Sequence, residues 1–400
     1  MGATSRTLLD QPLSRRARVR LLLVAGLILV SPGRPQARGG GEGPQSAQPA
    51  PVEPSPVRTT DDLLKLAGDG FRVRETGHFA IAYDCAYEHL RPLTGRAEAT
   101  YQAIVRMCES TGVRTHARAE RLPVLFFDSY EAFHTRTAAL QPNAAALAGF
   151  YNTQSNVAFF FNTLSRPDVI DFDRQLAEYQ RQVLELRQRG RSAAAEQAAL
   201  QRQLTAWRIQ RDAFVERINR MVIQHEVAHQ VLYHLGVHAR EAVNPGWLVE
   251  GLACQFEVPQ KAAHGGLGAV NDIRLTEFRS AFDLAEGDAP PPAGARRAAF
   301  ESGRFLPLRE LIADAQALSA ARGGTHLSFR YAQAWSLVLF LHRTRREAFA
   351  IYVNAVAGRA AGFQSDAATE LSGFEKAFGP VDGAFESAWL DFVFEEMTRQ

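Results

Sequence analysis

Lysine is nearly absent from this chain. Of 45 basic residues only Lys65, Lys261 and Lys376 are lysine, and 43 acidic residues bring the net charge to +2. Residues 1–37 hold six Arg against one Asp, which leaves the remainder at about −3. Such a balance offers no basic field to nucleic acid or to an acidic membrane. Cysteine is equally scarce. Cys85, Cys108 and Cys254 are too few for a disulfide framework, and an odd number leaves at least one free thiol. Cys85 and Cys108 either pair or remain buried thiols. The apolar run at 21–30, LLLVAGLILV, is too short to span a bilayer comfortably. No phosphate-cradling glycine loop, nucleophile elbow, basic aromatic stripe or internal repeat is present.

What the chain does contain is the composition of a globular protein, with 46% hydrophobic and 22% charged residues over 400 positions. That length admits one large domain or two moderate ones. The first 37 residues read as a secretory signal peptide. Arg15-Arg16-Ala17-Arg18-Val19-Arg20 precedes the apolar run, and small residues follow, with cleavage after Ala37 as one option. Export to the periplasm, cell surface or medium is the expectation, with no stable membrane span after cleavage. Residues 38–60 are a Gly/Pro/Ser/Ala linker without apolar periodicity, expected to be disordered.

The chemistry lies in residues 221–236, MVIQHEVAHQVLYHLG. The apolar positions around His225-Glu226-Val227-Ala228-His229 read as helix, and Gly236 supplies a stop. On a helix, His225 and His229 stand one turn apart on one face, where two imidazoles can hold one zinc ion with Glu226 beside them as general base. Downstream, Pro245-Gly246 breaks the chain and a second helix starts with Trp247-Leu248-Val249-Glu250-Gly251-Leu252-Ala253. Glu250 in its first turn is the candidate third ligand; zinc in a catalytic site takes three protein ligands and keeps one position open.

HEVAH followed by WLVEGLA resembles the gluzincin branch of zinc metallopeptidases, in the W-x-x-E-G-x-A form of the peptidase-MA-like superfamily. Within that superfamily it resembles an uncharacterised family of exported bacterial proteins. The resemblance covers about thirty residues. It implies that His225, His229 and Glu250 bind Zn2+ and that Glu226 activates water. One position departs from the pattern. Thermolysin-type enzymes carry a carboxylate four residues after the ligand Glu, orienting a ligand His; here that position is Cys254. The related peptidases use a downstream Tyr or His to stabilise an oxyanion, which makes Tyr331 the candidate and His326 the reserve. In them a small sheet lies above the zinc helix and its edge strand pairs with extended substrate. Residues 148–151 or 156–160 are the places to look for that edge.

The remaining chain fits around these motifs. Thr60-Asp61-Asp62 caps a short helix ending near Gly68. Strands are expected at 78–84, 122–127 and in a hairpin over 149–162 turning at 153–156, with helices over 87–112 and 130–140 between them. Ser165-Arg166-Pro167-Asp168 looks like a capping box. Over 166–220, apolar residues at Leu176, Tyr179, Val183 and Leu186, then at Leu200, Leu204, Trp207, Phe214 and Ile218, predict a helical hairpin of coiled-coil type whose second arm runs into the zinc helix. Its mixed charges favour a stiff insertion packed on itself over an arm that docks a protein partner. His234 and His238 are expected to be solvated or structural. Glu257, seven residues after Glu250 on the same face, either supports the site or lies on the surface. Helices are further expected over 271–282, from 308 through 318, through Leu341, and in two or three segments over 346–400.

The expected fold class is therefore α+β: a small N-terminal sheet layer (61–165) over a zinc-helix pair, the hairpin insertion (166–220), and a helical C-terminal half (221–400). The expected function is an exported zinc metallopeptidase acting on peptide or protein substrate. The alternative is a zinc-holding protein that binds peptide or polymer without cleaving it.

Overall fold

In the N-terminal half, short apolar stretches alternate with helices, and the alternation resolves into a layered sheet. The computed structural model describes residues 57–116, 119–138, 140, 147–258, 267, 269–285, 288–319 and 324–398. The expected signal peptide at 1–37 and the linker through residue 56 lie outside them. The last linker residues belong to the fold. Val57 is buried and donates its N–H to Ser155 O at 3.0 Å, and Thr59 caps helix α1 (Thr60–Ala67) in a capping box with Asp62.

The protein is α+β. Strands β1 (Arg72–Glu75), β2 (Phe79–Tyr83), β3 (Leu122–Phe127), β4 (Gly149–Asn152) and β5 (Val157–Phe161) form one sheet in the order β1-β2-β3-β5-β4. The β2-β3 and β3-β5 pairs are parallel; β1 and β4 flank them antiparallel. Helix α2 (Tyr87–Thr111) carries the crossover from β2 to β3, and α3 (Tyr130–Thr137) follows β3. Successive residues of a strand face opposite sides, so the sheet buries two faces. Phe79, Ile81, Val124, Phe126, Ala158 and Phe160 join the main core, while Ala80, Ala82, Leu125, Phe127, Phe159 and Phe161 join a second cluster with α1 and α3. The β4–β5 turn relies on Asn156 in the left-handed region, at φ 62°.

Helix α4 (Pro167–Gln188) leads through a 3-10 turn into α5 (Ala194–His234). At 41 residues, α5 is about 60 Å long. Its first half packs on α4 through Phe172, Leu176, Val183, Leu204 and Trp207, a cluster separate from the main core. Every residue over 221–232 is buried, the pattern of a helix inside the core. The hairpin arm and the helix that carries His225 and His229 are therefore one continuous element. Gly149 lets β4 lie against it: a Cβ there would stand 2.9 Å from Val222 Cγ1 and 2.8 Å from the Phe160 ring.

Helix α6 (Gly246–Cys254) is followed by α7 (Asp272–Ala281), α8 (Ala293–Glu301), α9 (Leu308–Ala313), α10 (Leu327–Thr344), α11 (Arg346–Ala357), α12 (Ala367–Phe378) and α13 (Gly383–Thr398). α6 and α10 approach so closely that a Cβ on Gly251 would stand 2.6 Å from Ala334 O. Trp247 anchors the other side of α6, with its ring 5.8 Å from Tyr352 and 5.5 Å from Phe374. Among the described residues, no helix is long and apolar enough to cross a membrane.

Several local expectations need correction. The capping box expected at Ser165–Asp168 does not form. Ser165 Oγ donates to Asn162 O and accepts from Tyr130 N, Asp168 binds Arg166, and Arg166 takes the N-cap position without a side-chain cap. The helix expected to reach Leu318 stops at Ala313, because Asp314 leaves helical geometry and its carboxylate accepts from Gln316 N at 2.8 Å. Cys85, Cys108 and Cys254 are all free and buried.

Candidate metal centre

His225 and His229 follow from α5, and Glu250 from α6, which crosses it. His225 Nε2 and His229 Nε2 are 3.0 Å apart, and Glu250 Oε2 lies 3.2 Å from the first and 3.3 Å from the second. All three side chains are buried, at 0%, 2% and 4% exposure. Three donor atoms thus surround one point inside the protein. Donors bound tetrahedrally to zinc at about 2.0–2.1 Å stand roughly 3.3 Å from one another, so the observed triangle is the size that zinc requires. The donor set, two imidazoles and a carboxylate, also suits it.

The support behind the triangle is equally ordered. His225 Nδ1 lies 2.8 Å from Glu257 Oε1, which leaves Nε2 facing the other two ligands. The Arg274 guanidinium grips Glu257 with two hydrogen bonds of 2.8 and 2.7 Å, and Asn271 Nδ2 donates to Glu257 Oε2 at 2.9 Å. Asn271 Oδ1 meanwhile caps α7 by accepting from Ile273 N and Arg274 N. Arg274 also binds Glu277 at 2.7 Å. Cys254, at the position where a carboxylate is usual, has its sulfur 4.0 Å from His225 Nδ1. The buried group His225, Cys254 and Glu257 is a second set of potential donors, but it shares His225 with the triangle.

Electrostatics follow from burial and these contacts. Burial opposes charge on His225, yet hydrogen bonds to Cys254, Glu250 and Glu257 hold its imidazolium well above the usual histidine range. Burial likewise opposes charge on Glu250, but the two histidines keep its carboxyl well below the ordinary range. Burial pushes the Glu257 carboxyl up, and Arg274 and His225 outweigh it, bringing it down to about 2. Glu226 is different. Burial raises its carboxyl, with His225 and His229 opposing, and it accepts from Tyr151 N–H at 2.8 Å.

Two buried glutamines lock α5 to its neighbours. Gln224 Nε2 donates to Phe256 O and Val258 O beyond α6, and Gln230 Nε2 to Pro123 O on β3 and Asn156 O in the hairpin turn. The metal face is thereby fixed between sheet and α6. Tyr331, on α10, is buried with its ring edge-on to His225 at 5.9 Å and beneath Arg274 at 5.3 Å. His326 sits before α10, stacked on Phe329 at 6.1 Å. His234 and His238 are buried. The edge of the sheet beside the metal helix is β4; β5, the other stretch considered, is interior, paired with both β3 and β4.

Sequence reasoning passed over Tyr233, Arg240, Asn271 and Arg274. Tyr233 had a signal, since 225, 229 and 233 repeat every four residues and share a helix face. Arg274 had none, because 17 residues separate it from Glu257. A cleft of about 150 Å³ opens beside Glu250, lined also by Thr153, Tyr233, Arg240, Asn244 and Val249.

Residues 219–361 match a family described as a protein of unknown function (DUF1570). No curated protein and no solved structure matches the chain.

Proposed function

We propose that this chain is a zinc-dependent peptidase that hydrolyses peptide bonds, with His225, His229 and Glu250 as the metal ligands. The observation that carries the reading is the 3.0–3.3 Å triangle of donor atoms with a further buried carboxylate, Glu226, beside it. A protein that merely stores a metal has no use for that carboxylate. Bound zinc would polarise the scissile carbonyl and make water a nucleophile near neutral pH.

The chain's own residues supply the rest. Glu226 lies about 100° around α5 from His225, at the border of the metal face. Its carboxylate takes the proton of the attacking water and delivers it to the leaving amine. Tyr331 is buried, and burial together with Glu250, Cys254 and Glu226 pushes its phenol well above the usual tyrosine range. It therefore stays protonated and serves as the hydrogen-bond donor to the oxyanion. Tyr151 N–H donates to Glu226, which ties β4 to the helix that carries His225 and His229 and holds the base carboxylate in position. The basic and apolar N-terminal stretch supports action outside the cytoplasm.

The test is digestion of a mixed peptide library by the zinc-loaded protein, with and without a chelator. Cleavage that the chelator abolishes is expected. A zinc-loaded protein that leaves every peptide intact would overturn the reading.

A further inference from the structure

We infer that Arg274 is a positioning residue of the metal centre: acting through Glu257, it orients His225 and sets how tightly the metal is held. The inference rests on the metal half of the peptidase reading and needs no turnover.

Local chemistry argues against an arginine at this place. Arg274 is the third residue of α7, in the turn where the helix dipole favours anions and opposes cations. It is also 2% exposed, and a buried guanidinium gives up its hydration. Apolar side chains of similar volume would fill the same space without that cost. What the position gains from arginine is geometry.

Each guanidinium nitrogen is committed. Nε and Nη2 donate to the two oxygens of Glu257 at 2.8 and 2.7 Å, a two-pronged grip that fixes the plane of the carboxylate. Nη1 donates to Glu277 at 2.7 Å, and the Tyr331 ring lies beneath, with its centre 5.3 Å away. A lysine would bring the charge without the fork.

The linking atom is Glu257 Oε1. It accepts from Arg274 Nη2 at 2.7 Å and lies 2.8 Å from His225 Nδ1. One oxygen thus joins guanidinium to imidazole, and a displacement of the first turns the second. Turning the imidazole moves Nε2 out of the 3.0–3.3 Å triangle. Glu257 lies three residues past the end of α6, so its carboxylate is placed by its partners on α7 and not by a helix of its own. The start of α7 is in turn tied to the helix it serves: Arg220, five residues before His225 on α5, binds Asp272 at 3.1 Å.

The experiment is a cycle of zinc affinities on the full chain, measured by competition with a chromophoric chelator. It compares wild type, Arg274→Lys, Glu257→Gln and Glu257→Gln/Arg274→Lys. Arg274→Lys is expected to lose about tenfold in affinity, the lower end for outer partners of a ligand histidine. In the Glu257→Gln background the same change is expected to alter affinity by less than about twofold, because the route to His225 is already cut. Arg274→Gln is measured in parallel under the same criteria, so that the result does not hang on one variant folding. The visible bands of the cobalt(II)-loaded protein report ligand geometry. They are expected to shift in Arg274→Lys, whereas a loss of stability alone would leave them in place. Unchanged affinity in the folded variants, or an equal loss in both backgrounds, overturns the inference and leaves the metal reading standing. No zinc uptake by the wild type would remove the metal reading and this inference with it.

Discussion

His225 Nδ1 and Glu257 Oε1 are 2.8 Å apart, in a pocket where neither side chain is measurably exposed to solvent. That contact fills the role left open by Cys254. The supporting carboxylate has moved from four to seven residues after Glu250, still on the same side of the chain as it leaves α6. Because α6 ends at Cys254, Glu257 approaches from beyond the helix and needs Arg274 to hold it.

Removing the support should weaken the metal without removing it. Glu257→Gln is expected to reduce zinc affinity about 10- to 100-fold, the usual effect of losing an outer partner of a ligand histidine. Competition with a chromophoric chelator measures it. Unchanged affinity would mean that the contact is only structural.

The same pair has a stability signature. Breaking a buried ion pair from one side costs about 3–5 kcal/mol, because the other charge is stranded. Arg274→Met alone should therefore destabilise strongly, and Glu257→Gln/Arg274→Met by less than the sum of the two single changes. Urea unfolding of the four proteins gives the cycle, and strict additivity would contradict the contact.

Metal stoichiometry checks the triangle itself. About one zinc per chain is expected, with severe loss in Glu250→Ala. Full occupancy in His225→Ala/His229→Ala, measured by elemental analysis, would refute the site.

Glu226 separates catalysis from binding. Glu226→Gln preserves shape and removes the base, so zinc content should stay constant while turnover falls at least roughly a hundredfold. Equal turnover by the two proteins at matched occupancy would show that Glu226 is not the base.

Acid should act through His238. Burial, with His229 adding to it, depresses its imidazolium to about 3. The unfolded chain then binds a proton that the folded chain refuses. The stability from this group is complete above the unfolded value near 6.5 and is lost as pH falls from there toward 3. His238→Phe should flatten that part of the Tm-against-pH profile relative to wild type, and parallel profiles would dispose of the idea.

The hairpin should be dispensable for the metal. Its cluster of Phe172, Leu176, Val183, Leu204 and Trp207 is separate from the main core. Replacing residues 172–212 by a short linker is expected to leave zinc binding largely intact. Joint loss of zinc and of cooperative unfolding would show that the arm props the metal helix, which is continuous with it.

Much of the site could be read from local spacing. His225, Glu226 and His229 lie within one helical turn or so, and helix geometry alone puts the two imidazoles together. Glu250 was legible as a carboxylate early in a second helix, although that helix starts at Gly246 and places it just past the first turn. The α+β class was legible too, because strands of period two and helices of period near four leave different marks on a chain. What the sequence could not determine was which distant groups meet. Glu257, Asn271 and Arg274 converge only because α7 folds back on the end of α6. Arg240 meets Tyr151 and Asn156 only because the β4–β5 turn reaches the loop after the metal helix. The capping box at Ser165 failed for the same reason, since Tyr130 N, 35 residues away, competes for the serine oxygen. Periodicity fixes which face of an element is apolar. Which polar atoms are satisfied across two elements is decided by packing, and the support of this site is made of such pairs.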